Sequence, residues 1–331
     1  MTAIFPLSHT KRFLFVLLLL LSIALLTAPV IAQEPTPPAA PLGSPSNAQP
    51  VPTTTPIPRP APLVTLSDGG FTLETYFAQI PQGQAGLIRV FGEGISGARG
   101  RFLDRIIDFA PAEDGYYALL AVGMEQQARV YELSVVAFGS GETRVTLTTP
   151  VEVTVGGFIR QDFTVAADRT YLLDTEIERN EFARLDSVFE PFTPQKLWTA
   201  DGFRLPMNSE LTSPFGAFRT LNQTFPTRHT GWDLRAAVGT PVAASAAGQV
   251  AFAGFLDIRG NYVVIDHGWG IYSAYAHFSQ IHVTRGQSIT AGQIIGVSGN
   301  TGRSNGPHLH WELVVDGQWI DAEAFLRMWL P

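Results

Sequence analysis

The amino-acid sequence predicts a mostly β protein, with an N-terminal immunoglobulin-like β-sandwich, a connecting helix and a C-terminal β domain. Three observations support this fold class. From about residue 64 to residue 160, short apolar runs alternate with glycine-containing turns. Over residues 174–190 the apolar residues recur at helical spacing instead. Farther along, two similar turns at 285–287 and 291–293 each separate short strand-like runs.

The composition of the 331-residue chain excludes several kinds of function. Its 22 basic and 29 acidic residues give a net charge of −7, which argues against a nucleic-acid partner. The absence of cysteine excludes thiol nucleophiles, disulfides, iron–sulfur clusters and metal sites built on thiolates. Six of the seven histidines lie between His229 and His310, so imidazole chemistry belongs to the C-terminal part of the chain.

Residues 1–32 are interpreted as an export signal. Lys11 and Arg12 precede an apolar run over residues 13–26, which is shorter than the roughly 20 residues of a membrane span. An uncleaved anchor is the alternative, because the apolar stretch can be extended to about Ala32. Either way we expect an exported protein, periplasmic, cell-wall-associated or extracellular, with membrane attachment only through this N-terminal segment.

Three segments follow before the histidine-rich part. Residues 33–63 hold 11 of the 24 prolines and almost no charge, which predicts an extended, disordered linker. Residues 64–165 form the predicted β-sandwich module, where no group of residues indicates catalysis and a binding, spacing or regulatory role is expected. Residues 166–203 form a helical connector around the helix at 174–190, to which no chemistry is assigned.

Two pairs of polar residues in the C-terminal part have a spacing that suits a metal site. His308 and His310 are two residues apart, so in a strand they leave the same face, as one metal ligand and one group acting on metal-bound water. His229 and Asp233 are four apart, and Gly231 lets the chain bend so that both converge. Two imidazoles and one carboxylate suit zinc with an open position for water.

Other histidines and a serine mechanism are weaker candidates. His267 and His282 lack a comparable partner pattern, and we interpret them as structural turn and strand residues. No serine in this region lies in a nucleophile-elbow context. An isolated histidine pair is also a weak signal, so the metal-site hypothesis depends on the two pairs occurring together.

Residues 204–331, about two-fifths of the chain, resemble the lysostaphin/LytM-type family of zinc metallopeptidases. The resemblance depends on an ordered set of motifs, which are Ser-Pro-Phe-Gly at 213–216, His-Thr-Gly-Trp-Asp at 229–233, Gly-Thr-Pro-Val-Ala-Ala at 239–244, Gly-Asn-Tyr-Val-Val-Ile-Asp-His-Gly at 260–268, Tyr-Ala-His at 275–277 and the block at 299–310. It implies a mostly antiparallel β metallopeptidase domain with a substrate groove over the metal. One departure is Asn305, where the family usually has threonine.

The same resemblance implies a role for each of five residues. His229, Asp233 and His310 are expected to bind one zinc ion per chain. His308 is expected to act as the general base on the zinc-bound water. His277 is expected to orient that water or to stabilise the tetrahedral oxyanion.

The sequence therefore predicts an exported, monomeric zinc metalloendopeptidase that hydrolyses peptide bonds in the cross-links or stem peptides of bacterial peptidoglycan. The substrate class comes from the resemblance alone. The sandwich and the helix are expected to place or restrain the catalytic domain. The alternative is a non-catalytic cell-wall-binding protein or an activator of other wall hydrolases, since some family members lose metal ligands. All five expected positions are intact, which favours the enzyme.

Overall fold

The computed structural model describes residues 57–331 of the chain. The expected export signal at 1–32 and residues 33–56 of the expected linker lie outside the described residues. Strands account for 47% of the structure and helices for 10%, which confirms the mostly β fold class. Among the described residues, no helix combines the length and the apolar character needed to cross a membrane.

The first part of the described chain is a sandwich of two five-stranded sheets. Its strands are β1 (Val64–Asp68), β2 (Phe71–Thr75), β3 (Gln79–Pro81), β4 (Ala85–Gly92), β5 (Gly97–Phe102), β6 (Arg105–Asp108), β7 (Ala110–Ala112), β8 (Gly115–Ala121), β9 (Val130–Phe138) and β10 (Arg144–Thr154). The strand orders are β1-β2-β4-β8-β7 and β3-β10-β9-β5-β6. The two sheets share one core, in which Leu73, Val90 and Leu120 of the first pack with Val135 and Leu147 of the second.

Strand β8 is buried on both of its faces, which explains its nearly unbroken apolar sequence. Leu120 belongs to the sandwich core, whereas Leu119 and Tyr117 belong to the core of the C-terminal sheets. The Tyr117 ring stacks on Trp269, with ring centroids 5.8 Å apart. One sheet of the sandwich therefore contributes side chains to two hydrophobic cores.

Short elements connect the sandwich to the C-terminal sheets. They are β11 (Arg160–Phe163), a 3-10 helix (Ala167–Leu173) and α1 (Thr175–Phe189). Helix α1 agrees with the helical period at 174–190, and the Asp174 carboxylate caps it by accepting the main-chain N–H of Glu176. The helical spacing of its apolar residues gives α1 one apolar face. This face, which includes Leu185 and Phe189, is buried against the C-terminal sheet.

The last part of the chain is built around one large antiparallel sheet. The remaining elements are β12 (Leu211–Ser213), β13 (Phe218–Leu221), β14 (Phe225–Arg228), β15 (Trp232–Arg235), β16 (Pro241–Ala243), β17 (Gly248–Leu256), β18 (Gly260–Gly268), β19 (Ile271–Phe278), β20 (Gln280–Ile281), β21 (Ser288–Ile289), β22 (Ile294–Val297), β23 (His308–Val315), β24 (Gln318–Ile320) and α2 (Ala322–Leu326). The large sheet has the order β12-β15-β23-β19-β18-β17-β21, with β24 also paired to β23. Two small sheets have the orders β11-β13-β14 and β16-β22-β20. The turns predicted at 285–287 and 291–293 flank β21.

The register of the large sheet brings the expected site residues together. Strand β23 lies between β15 and β19, so that His310 has Asp233 opposite it on one side and Ala276 on the other. Leu309 and Trp311, which alternate with the histidines of β23, enter the hydrophobic core. The two-residue period of this strand therefore separates polar side chains from core side chains.

Because β8 contributes to both cores, we expect Leu119→Ala to destabilise the sandwich and the C-terminal sheets together. Leu119 is 4% exposed, so its truncation should lower the free energy of unfolding by about 2–5 kcal/mol through lost burial and a residual cavity. Chemical denaturation followed by tryptophan fluorescence measures this change. Val155→Ala is the control, because Val155 is 75% exposed. Two separate transitions, with only one shifted by Leu119→Ala, would contradict the shared sheet.

Candidate metal centre

Three side chains converge at the large sheet, two from neighbouring strands and one from the turn that precedes the first of them. His229 lies just before β15, Asp233 lies within β15, and His310 lies within β23. Each residue offers one ligand atom, and these atoms lie within 4.8 Å of one another. Asp233 Oδ1 is 3.0 Å from His229 Nε2 and 2.9 Å from His310 Nδ1. The buried cluster is therefore a set of nitrogen and oxygen donors able to hold a metal ion.

In His229 and His310, the ring nitrogen that faces away from the cluster is held by an acceptor. His229 Nδ1 donates to the main-chain oxygen of Pro214 at 2.6 Å, and His310 Nε2 donates to Glu312 at 3.0 Å. These bonds favour the tautomers that leave His229 Nε2 and His310 Nδ1 free to bind a metal. The sequence-based prediction missed Glu312, although its position two residues after His310 places it on the same face of the strand.

His308 and His277 lie beside the cluster and are held in the same manner. His308 Nδ1 donates to the main-chain oxygen of Gly306 at 2.8 Å, and its Nε2 lies 3.4 Å from Asp233 Oδ1. His277 Nδ1 donates to the main-chain oxygen of Thr301 at 2.7 Å. The His277 and His308 ring centroids are 4.7 Å apart. In each ring, Nε2 is therefore the nitrogen left with a lone pair.

Burial and neighbouring charges lower the pKa values of three members of the buried centre. Burial alone would raise the pKa of the Asp233 carboxyl, but its charged and polar neighbours, among them the guanidinium group of Arg219, hold that pKa well below its usual value. Burial lowers the pKa of His229 to about 4 and holds the pKa of His277 well below its usual value. At neutral pH the carboxylate is therefore ionised and both imidazoles are neutral, which leaves their lone pairs available.

Glu312 belongs to a buried network of charged and polar groups. Arg259 Nη2 donates to Glu312 at 2.8 Å, and the hydroxyl groups of Thr230 and Tyr262 donate to the same carboxylate. Burial opposes the ionisation of Glu312, but Arg259 and His310 hold its pKa well below the usual value. Burial would also lower the pKa of His310, but the negative charges of the neighbouring Asp233 and Glu312 carboxylates raise it.

A second residue missed by the sequence-based prediction, Arg219 on β13, contacts the other oxygen of Asp233. Arg219 Nη2 donates to Asp233 Oδ2 at 2.6 Å and to the Ser213 hydroxyl oxygen at 2.7 Å. The Ser213 hydroxyl donates to Gln161 on β11. No motif indicated these contacts, because the residues that make them lie on separate strands and meet only in the folded sheets.

Two backbone positions beside the cluster are constrained. The φ angle of Gly231 lies outside the left-handed region, and a Cβ atom there would lie 2.3 Å from the main-chain oxygen of Trp311. Glycine is therefore needed for the close approach of this turn to β23, and the expected bend between His229 and Asp233 uses no left-handed glycine. His277 has a φ of 62°, a left-handed conformation that is uncommon for a residue with a Cβ atom.

All five expected site residues line one cavity of about 370 Å³. The segment before residue 204 lines the same cavity with four side chains: Phe163, Val165, Glu178 and Phe182. The connector, to which the sequence assigned no chemistry, therefore forms part of the surface of the site.

The two histidines interpreted as structural lie outside the lining of this cavity. His267 is buried, its Nδ1 donates to the main-chain oxygen of Ala247 at 2.8 Å, and its Nε2 accepts the Ser273 hydroxyl at 2.7 Å. His282 is exposed, and its main-chain N–H donates to the oxygen of Ile295. The structure therefore separates these two histidines from the four that surround Asp233.

His267 should make the stability of the protein depend on pH. Burial lowers its pKa from 6.5 to about 4, so the unfolded chain takes up the proton first as the pH falls. Its contribution is complete above pH 6.5 and is lost between pH 6.5 and about 4, at roughly 1.4 kcal/mol per pH unit. Urea unfolding across this range should show a smaller loss of stability in His267→Gln than in the wild type.

His282→Gln is the matched control for this experiment, because it makes the same substitution at an exposed histidine. Equal pH slopes for His267→Gln and the wild type would show that His267 is not the neutral, buried group described above.

Comparison with known proteins identifies the domain that contains this centre. A model of Peptidase family M23 matches residues 227–322. A 94-residue stretch is 48% identical to the peptidoglycan DD-endopeptidase ShyA of Vibrio cholerae serotype O1, covering 28% of this chain and 22% of the relative. A 114-residue stretch is 42% identical to the DD-carboxypeptidase/endopeptidase Mpg of Neisseria meningitidis serogroup B, covering 34% of this chain and 26% of the relative. The chain thus matches about a quarter of the length of these relatives.

A solved structure from Pseudomonas aeruginosa, assigned to peptidase M23, has a broader similarity. It superimposes with a TM-score of 0.57 at 23% identity and covers 75% of this chain and 95% of its own. This match shows a shared fold. The family match and the sequence relatives confirm the resemblance found in the sequence. The chain therefore carries a C-terminal peptidase family M23 domain of the lysostaphin/LytM type, and all five expected site residues lie within it.

Proposed function

We propose that the chain is a zinc-dependent endopeptidase that hydrolyses peptide bonds in the cross-links or stem peptides of bacterial peptidoglycan. One observation carries the proposal. Each of the four histidines around Asp233 has one ring nitrogen bonded to an acceptor, so that its other nitrogen is free at the cavity. This arrangement supports a hydrolytic centre. The names of the relatives ShyA and Mpg support the substrate class.

The donor set of the cluster fits zinc. Two imidazole nitrogens, from His229 and His310, and one carboxylate, from Asp233, are the ligand types found in open, catalytic zinc sites. We propose that these three residues hold one zinc ion per chain. Zinc bound there would polarise a substrate carbonyl and lower the pKa of a water molecule, which is the chemistry that hydrolytic zinc sites supply.

His308 is the proposed general base. Its Nδ1 proton is committed to Gly306, so the lone pair is on Nε2, which lies 3.4 Å from Asp233 Oδ1 and therefore close to the ligand atoms. In the proposed reaction, His308 Nε2 accepts the proton of the attacking water. The protonated ring then supplies a proton to the amine that leaves.

His277 is proposed to orient the attacking water. Its Nδ1 proton is donated to the main-chain oxygen of Thr301, so the neutral ring has an acceptor and no donor at Nε2. An acceptor can hold a water O–H group, whereas stabilising an oxyanion requires a donor. The hydrogen bond to Thr301 therefore supports the first of the two roles that the family resemblance implies for His277.

The proposed substrate sets the expected location of the protein. Peptidoglycan lies outside the cytoplasmic membrane, so we propose that the chain is exported and acts in the periplasm or the cell wall as a monomer. The second candidate function, a non-catalytic wall-binding protein or activator, requires no intact centre. The retention of all five site residues around one cavity supports the enzyme over this alternative.

The two histidines of β23 should respond differently to substitution. His310→Ala should lose bound zinc, because it removes a proposed ligand. His308→Ala should retain zinc but lower the rate of hydrolysis by about 10²–10⁴-fold, because it removes the proposed base. Elemental analysis measures the zinc content. Mass analysis of the fragments released from purified peptidoglycan, with and without a chelator, measures hydrolysis.

His282→Ala is the control, since His282 is exposed and outside the cavity. Wild-type turnover in His308→Ala would contradict its role as the base. A zinc-loaded wild type that releases no fragments would support the non-catalytic alternative.

We also propose that the segment before residue 204 restrains access to the site, because Phe163 of β11 and Phe182 of α1 line the cavity together with the histidines. Phe163→Ala removes an aromatic ring from this lining and should increase the rate of fragment release from intact peptidoglycan severalfold, with zinc content unchanged. Phe255→Ala is the control, because Phe255 is 57% exposed and does not line the cavity. Equal rates for Phe163→Ala and the wild type would contradict restraint by this residue.

A further inference from the structure

Helix α1 reaches the metal centre through a chain of three buried, charged side chains. Glu181 of α1, Arg259 of the loop before β18 and Glu312 of β23 have side chains that are 3%, 6% and 0% exposed. Buried charges are costly unless each one is paired and hydrogen-bonded. These three residues therefore have to be considered as one unit.

The carboxylate of Glu181 is fully engaged with the loop that carries Arg259. Its Oε1 accepts Arg259 Nη1 at 2.9 Å. Its Oε2 accepts the main-chain N–H of Ile258 at 2.7 Å, and Oε1 also accepts the main-chain N–H of Arg259 at 3.3 Å. Glu181 therefore fixes both the guanidinium group of Arg259 and the backbone to which it is attached.

The loop in turn contacts His277 directly and reaches His310 through Glu312. Arg259 donates to Glu312 through Nη2 at 2.8 Å, and Glu312 accepts His310 Nε2 at 3.0 Å. The main-chain oxygen of Arg259 accepts the main-chain N–H of His277 at 2.8 Å. His277 is the site histidine with the left-handed backbone. Displacement of this loop would therefore disturb a proposed zinc ligand and a proposed catalytic histidine together.

We propose that Glu181 is a positioning residue for the metal centre. It shares the positive charge of Arg259 with Glu312, so that Glu312 keeps enough negative charge to hold the Nε2 proton of His310 and direct Nδ1 to the metal. Glu181 lies outside residues 227–322, so a residue of the connector completes the outer shell of the peptidase site. This inference is based on the proposed zinc site.

The physical reason is the charge count within a region of low dielectric constant. With Glu181 present, two carboxylates share one guanidinium group, and the remaining negative charge is available to the imidazole of His310. If Glu181 is neutral, Arg259 pairs with Glu312 alone, and the bond from Glu312 to His310 weakens. Removal of outer-shell partners of this kind lowers metal affinity by about 10–100-fold in zinc proteins.

Glu181→Gln in the full chain tests the proposal, with Glu176→Gln as the matched control on the same helix. The side chain of Glu176 is 64% exposed, so its substitution removes the same charge without disturbing the buried Glu181–Arg259–Glu312 chain. Zinc affinity is measured by competition with a chromophoric chelator, and the visible spectrum of the Co²⁺-substituted protein reports the ligand geometry. We expect Glu181→Gln to bind zinc about 10-fold more weakly and to alter the Co²⁺ spectrum, and Glu176→Gln to change neither.

A double-mutant cycle separates positioning from a general effect on the fold. Because Glu181 acts on His310 through Glu312, the variant with both Glu181→Gln and Glu312→Gln should bind zinc no more weakly than Glu312→Gln alone. Fully additive losses of zinc affinity would contradict the proposal that Glu181 acts on His310 through Glu312. A lower melting temperature of the metal-free Glu181→Gln protein with unchanged zinc affinity and Co²⁺ spectrum would also overturn it, because it would show a purely structural role.

A second variant keeps the test decisive if Glu181→Gln does not fold. Glu181→Asp retains the charge but shortens the side chain, so it should fold and weaken zinc binding in the same direction by a smaller factor. Wild-type zinc affinity and Co²⁺ spectrum in this variant would then overturn the proposal. Failure of the proposed function is a separate result, since a wild type that binds zinc but releases no peptidoglycan fragments leaves the zinc affinities of the variants readable.

Discussion

The buried carboxylate of Asp233 is the group around which the C-terminal part of the structure is organised. An ionised group inside a protein costs several kcal/mol unless it is fully partnered. Here Oδ2 accepts a hydrogen bond from Arg219, and Oδ1 faces the free ring nitrogens of His229 and His310, with which it would share a bound metal ion. These partners come from β13, β23 and the turn before β15, so one buried charge requires two sheets to meet in a particular arrangement.

Strand β23 of the large sheet carries site residues and core residues in alternation. Its side chains alternate, so His308 and His310 face the cavity while Leu309 and Trp311 are packed in the hydrophobic core. Strand β23 is hydrogen-bonded on both sides, which restricts the movement of the histidines. A site supported by paired strands and by partners for each imidazole is held in place before a substrate arrives.

The connector contributes to both the hydrophobic packing and the buried polar network of the large sheet. Its helix packs an apolar face on the large sheet, and Glu181 on the same helix enters the buried network of Arg259 and Glu312. The sandwich is also attached through an apolar face, since Leu119 of β8 belongs to the core of the C-terminal sheets. Under the role proposed for Glu181, the metal centre depends on a residue from outside the peptidase domain, in addition to the strands that carry its ligands.

The sequence by itself determined the mostly β class, the helix over 174–190 and four of the residues that line the cavity, whereas His277 was identified only through the family resemblance. Periodicity and short-range spacing are local properties, and the His308–His310 pair needs only the two-residue repeat of a strand. Only the tertiary structure decided the outer partners Arg219, Arg259 and Glu181, because they lie far from the ligands in sequence. Their role depends on the pairing of strands and on the packing of a helix, which bring buried charges together at distances that no local pattern encodes.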